Sequence, residues 1–166
     1  MRIVLAIDPG NTESAYCLVD ADSLAPVEFG KVENHILANM IQSELNYNEF
    51  VIERVASYGM PVGKEVFQTC EWIGRFVQIA SLFHRPISYI YRKEEKVHIC
   101  RDSRAKDANI RRALIDRFAK HDLTNGKGTK KNPDFFYGFR ADCWAAYAVA
   151  LTYIEAGASE REEYST

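Results

Sequence analysis

Met1-Arg-Ile-Val-Leu-Ala-Ile-Asp8-Pro9-Gly10 opens the chain and decides how the rest is read. Ile3 to Ile7 is a short apolar run rich in β-branched residues, the pattern of a buried strand. It stops at a carboxylate, and Pro9-Gly10 turns the chain. A strand of this kind lies in the interior, so Asp8 stands at its rim, rigidly held and partly desolvated. Such a carboxylate needs a cation or a metal as partner. Any further ligands must come from the rest of the chain.

Downstream, Ser14 to Val19 and Val27 to Val32 read as two more strands, separated by the turn Asp20 to Pro26. Short turns between three consecutive strands favour an antiparallel meander. Asn34 is expected to cap a helix whose apolar face is Ile36, Leu37, Met40, Ile41 and Leu45. Phe50-Val-Ile-Glu53-Arg-Val55 is a fourth strand that again closes on an acid. Reached through a helix, it should run parallel to the first. A loop over Ala56 to Gly63 leads to a long helix from Lys64 to about Phe83, and Ile87 to Tyr91 forms a fifth strand. Lys93 to Cys100 suits a short helix and Lys106 to Lys120 a clearer one. Asp122 to Asp134 lacks an apolar pattern and is expected to be a mobile basic loop. A last, alanine-rich helix spans about Arg140 to Glu155.

The fold class implied is α/β, a mixed five-stranded sheet with three antiparallel strands followed by parallel strands, flanked by helices. Residues 1–157 form one domain with an ample core, given 166 residues of which 47% are hydrophobic. Residues 158–166 are expected to be a frayed acidic tail.

The formal charge of -2 excludes a globally basic nucleic-acid binder, but its distribution is uneven. Arg85 to Lys131 holds fourteen Lys or Arg against six Asp or Glu, while the remainder holds seven against seventeen. A basic segment on an otherwise acidic protein suits a polyanion, although a solvated face would carry the same charges. The four cysteines have no C-x-x-C spacing, and His98 with Cys100 is too little for zinc. Buried thiols in a reducing compartment, and hence a cytoplasmic protein, are expected. No segment has the length of a membrane span.

Asp8, Glu53 and Asp142 are the acids placed at the ends of apolar segments. Each alone could serve structure: strand-end acids pair with arginine, and an acid in a helix's first turn favours the macrodipole. Together, three hard oxygen ligands on rigid elements can hold Mg²⁺, with Mn²⁺ able to substitute. Such ions activate water and stabilise the leaving 3′ oxygen of a phosphodiester.

Ile7-Asp8-Pro9-Gly10, Val51-Ile52-Glu53-Arg54-Val55, and Arg140-Ala141-Asp142-Cys143-Trp144-Ala145-Ala146 with the Tyr147 to Ala150 run resemble the motifs of RuvC-type Holliday-junction resolvases. The likeness is nearest to the short phage resolvases, and Ser103 to Ile110 resembles that family's basic segment ahead of a helix. The resemblance implies a ribonuclease-H-like fold, a homodimer, and metal-dependent nicking of four-way and other branched DNA by Asp8, Glu53 and Asp142. If phage-encoded, the protein would act in the host cytoplasm. Cellular members carry a fourth acid three residues before the last aspartate, where this chain has Phe139. Three carboxylates would suffice, or Asp134 or Asp107 would fill the gap.

For the DNA, Lys93, Lys96, Arg101, Arg104, Lys106, Arg111, Lys127, Lys130 and Lys131 are candidate phosphate contacts, with solubilising charge as the alternative for about half of them. Tyr58 and Met60 could wedge into an opened base pair or simply pack in the core. The Lys64 to Phe83 helix is the candidate dimer contact. Gly126-Lys127-Gly128-Thr129 lacks the earlier glycine of a phosphate loop, so no nucleotide cofactor is expected. Two competing functions fit the same residues: a flap or fork nuclease, and a non-catalytic branched-DNA-binding module.

Overall fold

A computed structural model of the chain describes residues 1–158 and 160–162. Its elements are β1 (Ile3–Asp8), β2 (Glu13–Asp20), β3 (Pro26–Glu33), α1 (Asn34–Ser43), β4 (Glu49–Arg54), α2 (Lys64–Leu82), β5 (Ile87–Tyr91), α3 (Arg92–Cys100), α4 (Asp107–Phe118), α5 (Cys143–Ala156) and β6 (Glu160–Glu162). The sheet order is β3-β2-β1-β4-β5-β6. β1, β2 and β3 form the expected antiparallel meander, and β4 and β5 add in parallel.

Alternation along β1 divides the core. Leu5 and Ile7 face one side, where α1 and α2 cover them with Leu37, Ile41, Ile73, Phe76, Val77 and Ala80. Val4 and Ala6 face the other, with Val51 of β4 and Ile90 of β5, beneath α5, against which α4 packs. The α5 segment Ala146 to Leu151 is buried without a break, and its alanines let the helix lie close on β1 and β2. A helix buried all round replaces the usual amphipathic pattern.

The turn after β1 is built, not loose. Gly10 N–H donates to Ser14 Oγ (3.0 Å), Ser14 Oγ bonds Asn34 Oδ1 (2.6 Å), and Asn34 Nδ2 donates to Gly10 O (2.9 Å). A Cβ at position 10 would stand 2.2 Å from Glu13 O, so only glycine fits. This corrects the expected role of Asn34. Glu33 occupies the cap position of α1, and the fully buried Asn34 amide instead ties β1, β2 and α1 together behind Asp8.

Three further expectations are revised. The sheet has a sixth strand: Glu160–Glu162 pairs antiparallel with β5, so these residues do not fray as an open tail. Glu160 is fixed there by Arg54 (2.5 Å) and Tyr91 Oη (2.9 Å). The rest of the expected tail, 159 and 163–166, lies outside the described residues. Asp122 to Asp134 is not an open basic loop but a latched hairpin. The Asp134 carboxylate accepts from the backbone N–H of Lys120, His121, Asp122 and Phe135 at 2.7 to 3.1 Å. Asp122 in turn accepts from Asn125, Lys127 and Gly128 N–H. Finally, α5 begins at Cys143, leaving Asp142 at the cap position rather than in the first turn. Among the described residues, no helix is long and apolar enough to cross a membrane.

Candidate active site

The sheet register brings the first two acids together. Ile7 pairs with Ile52, so Asp8 and Glu53 are the next residues on adjacent parallel strands. Both share the parity of Val4, Ala6 and Val51, and so emerge on the face covered by α5. Asp142 stands at the N-terminal end of that helix. Three distant carboxylates thus converge over the C-terminal ends of β1 and β4.

Their electrostatics follow from the proximity. Burial, then the neighbouring Glu53 and Asp142 charges, push the Asp8 carboxyl up to about 7. Burial also raises Glu53, against the opposing pull of Arg92. Glu53 Oε2 is buried, with the Glu95 carboxyl hydrogen-bonded to Glu53 from α3.

Two cations that the sequence reading passed over hold this cluster. Lys31 pairs with Ala15 on β2, which pairs with Asp8, so the three form one row across the sheet. Ala15 is small, and Lys31 Nζ reaches over it to Asp142 Oδ2 at 2.6 Å. On the other side Arg92 lies 3.8 Å from Glu53, donates to Glu95 Oε2 at 2.9 Å, and pairs with Asp107. Glu95 is completely buried, and burial followed by the Glu53 charge pushes its carboxyl well above the ordinary range. Its carboxyl in turn shares a hydrogen bond with Glu53. One signal could have found it: Glu95 lies one turn before Ile99, which packs on the core, and so falls on the inward face of α3.

The fourth-acid question resolves into positions. Phe139 precedes α5, is fully buried, and packs against Phe29 (4.5 Å), Phe136 and Trp144 (both 5.1 Å). It belongs to an aromatic core, not to the carboxylate cleft. Asp134 is committed to the hairpin, where four backbone N–H donors hold its carboxyl far below the usual range despite burial. Of the two, Asp107 lies at the edge of the cluster: it contacts Arg92 and shares with Asp142 a cleft of about 300 Å³.

As they stand, no three of the described His, Cys, Asp or Glu side chains are gathered into a metal cage. The residues nonetheless fit a hard divalent ion. The donors are all carboxylate oxygens, and Glu53 and Asp142 lie close enough to Asp8 for their charges to raise it.

The expected DNA contacts separate into two groups. Lys93, Lys96 and Tyr58 line a cavity of about 280 Å³ with Arg92, beside the carboxylates. Arg111 lies 4.7 Å over the Trp144 ring and lines the Asp142 cleft. Arg101 and Arg104 are exposed in the α3–α4 connection, and the exposed Lys106 precedes α4. Tyr58 and Met60 are 68% and 71% exposed, which removes core packing as their role. Lys127, Lys130 and Lys131 sit on the latched hairpin, whose start packs back on α4 through Arg112, which donates to Leu123 O and Thr124 O. On α2, Phe67 and Leu82 are 60% and 65% exposed, an apolar surface available to a second copy.

Two expectations follow from these contacts. Without divalent ions, wild-type stability should fall as pH rises from about 4 to about 7, because the folded state holds the Asp8 proton more tightly than the unfolded chain does. Asp8→Asn removes this contribution, so its melting temperature should gain on wild type across that window; a constant difference would contradict the Asp8 assignment. Asp134→Asn should lower the melting temperature by several degrees yet leave Mn²⁺ affinity unchanged, since its carboxylate serves the hairpin backbone. Isothermal titration beside a thermal melt checks both halves.

A solved structure of Thermus thermophilus RuvC aligns with a TM-score of 0.69 at 14% identity, over 96% of this chain and 99% of that one. T. thermophilus RuvC in complex with Holliday junction substrate aligns with a TM-score of 0.68 at 13% identity, over 92% and 93%. No protein-family model and no curated protein matches the chain. At these identities the likeness establishes the fold: nearly the whole chain has the ribonuclease-H-like architecture of RuvC.

Proposed function

We propose that the protein is a divalent-metal-dependent endonuclease that nicks four-way junctions and related branched DNA. The observation that carries this reading is the convergence of Asp8 and Glu53, one register step past Ile7 and Ile52, beneath Asp142 at the end of α5. The shared fold with a resolvase solved on a Holliday junction supports the same substrate.

Asp8, Glu53 and Asp142 would hold Mg²⁺ or Mn²⁺, which supplies an activated water and stabilisation of the leaving 3′ oxygen. The chain's own part is placement and charge. β1 and β4 fix two carboxylates rigidly, and the Gly10–Ser14–Asn34 link braces the turn that bears Asp8. Unneutralised, these acids repel a phosphodiester, so ion loading and DNA binding reinforce one another. Lys31 and Arg92 stand ready to meet phosphate oxygens once their carboxylates turn toward the ion. Arg111, Lys93 and Lys96 extend positive charge to either side. A fourth oxygen would come from Glu95, against Glu53, or from Asp107, on the Asp142 cleft. We take the working form to be a homodimer, which presents two such sites to the two strands to be cut, with the exposed α2 face as the contact. Free thiols at all four cysteines accord with a reducing cytoplasm.

A synthetic four-way junction, a flap and a linear duplex, each with Mg²⁺, Mn²⁺ or EDTA, provide the test. Paired, metal-dependent nicks confined to the junction are expected. Equal cutting of linear duplex would remove the junction assignment. A second reading, a non-catalytic branched-DNA module, draws on the Lys31–Asp142 and Arg92–Glu95 ion pairs, which already compensate the acids. Junction binding with no cleavage under any ion would select it.

A further inference from the structure

Glu95 is completely buried, yet the fold itself does not call for a carboxyl at that position. It lies in the first turn of α3, where an acid favours the helix dipole. Glu94 already serves that end of the helix, accepting from Tyr91 N–H at 2.6 Å. A buried carboxyl is costly, and an apolar side chain of similar volume often serves stability as well or better. The contacts of Glu95 point to another task. In the sheet register Glu53 stands beside Ile90, and α3 starts two residues later at Arg92. The first turn of α3 is thereby brought beside the strand end that carries Glu53. There the Glu95 carboxyl shares a hydrogen bond with Glu53, while its Oε2 accepts from Arg92 at 2.9 Å. Arg92 itself lies 3.8 Å from Glu53 and pairs with Asp107, so one guanidinium ties both glutamates together.

We propose that Glu95 is a positioning residue of the metal site: its buried carboxyl, anchored by Arg92, hydrogen-bonds Glu53 and fixes the orientation in which Glu53 meets the ion. This rests on the nuclease reading above, and it gives Glu95 a task distinct from adding a fourth oxygen. A ligating carboxylate gains from such a partner, because an unrestrained side chain loses rotamer freedom when it closes on an ion. Glutamine at position 95 would keep both links, its amide N–H donating to Glu53 and its carbonyl accepting from Arg92, whereas leucine keeps only the volume.

Mn²⁺ titration calorimetry beside thermal melts, on the full chain without DNA, tests this. Glu95→Leu should bind Mn²⁺ about 10–100-fold more weakly than wild type. Glu95→Gln should stay within a few-fold of wild type. With Glu53→Gln in place, adding Glu95→Leu should cost no further affinity, because Glu95 acts only through Glu53. On a four-way junction, excess Mn²⁺ should restore most of the cutting lost in Glu95→Leu, and binding of the junction without ions should match wild type. Undiminished Mn²⁺ affinity in Glu95→Leu would overturn the proposal, as would a lowered melting temperature with that affinity kept, the mark of a purely structural role. Equal losses in Glu95→Gln and Glu95→Leu would also overturn it, by making Glu95 a ligand in its own right. If Glu95→Leu does not fold, Glu95→Met, long and flexible but without a strong hydrogen-bonding group, takes its place with the same outcomes. Wild-type protein that binds no Mn²⁺ would overturn the metal site and the positioning role together. Protein that binds Mn²⁺ as expected but cuts no branched DNA would withdraw the nuclease reading alone.

Discussion

Asp8→Asn protein should bind a four-way junction at least as tightly as wild type and cut it on the order of 10³-fold more slowly, about 4 kcal/mol in activation free energy. Asparagine is nearly isosteric with aspartate, so the turn braced by Gly10, Ser14 and Asn34 should persist. What changes is charge. Asp8 sits next to Glu53 in the sheet register and under Asp142, and that crowding with burial is what raises its own carboxyl to about 7. Removing one of three negative charges relieves repulsion of DNA phosphate but deprives a divalent ion of a hard ligand. Gel shift and single-turnover cleavage separate the two effects. Loss of binding in parallel with cleavage would mean that Asp8 serves the fold, and the active-site assignment would be withdrawn.

Phe139→Glu should not restore a fourth acid; it should cost on the order of 4–5 kcal/mol and leave little folded protein. Phe139 is fully buried, with Phe29, Phe136, Trp144 and Tyr147 around it at ring separations of 4.5 to 5.9 Å. Glutamate there loses the packing of an aromatic ring and buries a carboxyl for which this cluster of rings offers no charge partner. Domains of this size have about 5–15 kcal/mol in total, so one substitution removes much of it. Phe139→Leu, which keeps the apolar character, should cost far less. Urea unfolding of the two variants decides the matter. A Phe139→Glu protein as stable as wild type, with increased Mn²⁺ affinity, would show that position 139 can turn into the cleft.

These two residues also mark how far the sequence could be read. Ile3 to Ile7 ending at Asp8, and Phe50 to Ile52 ending at Glu53, declare themselves as strands because burial on both faces demands unbroken apolar runs. Their parallel pairing followed from the intervening helix. Register did not: nothing in the residues themselves states that Ile7 faces Ile52, or that Lys31 and Asp8 flank Ala15. Lys31 and Arg92 were therefore invisible as partners of the acids, although both carry charge in plain view. The hairpin misled for a different reason. Asp122 and Asp134 order it through side-chain acceptors for backbone N–H groups, a device with no apolar periodicity. Asn34 was assigned to the nearest helix cap because capping is local, whereas its actual partners, Gly10 and Ser14, are 24 and 20 residues away.

The ion pairs of Lys31 and Arg92 have a consequence for how the protein is made. In small metallo-domains the metal supplies most of the folding free energy, so folding waits for it. Here each flank of the acid cluster has a cation of its own, supplied by β3 on one side and by α3 on the other. Folding therefore need not wait for the ion, although an ion bound by the folded chain would add to its stability. Chelation should silence cutting without unfolding the chain, and a newly synthesised copy can mature before it meets either ion or DNA.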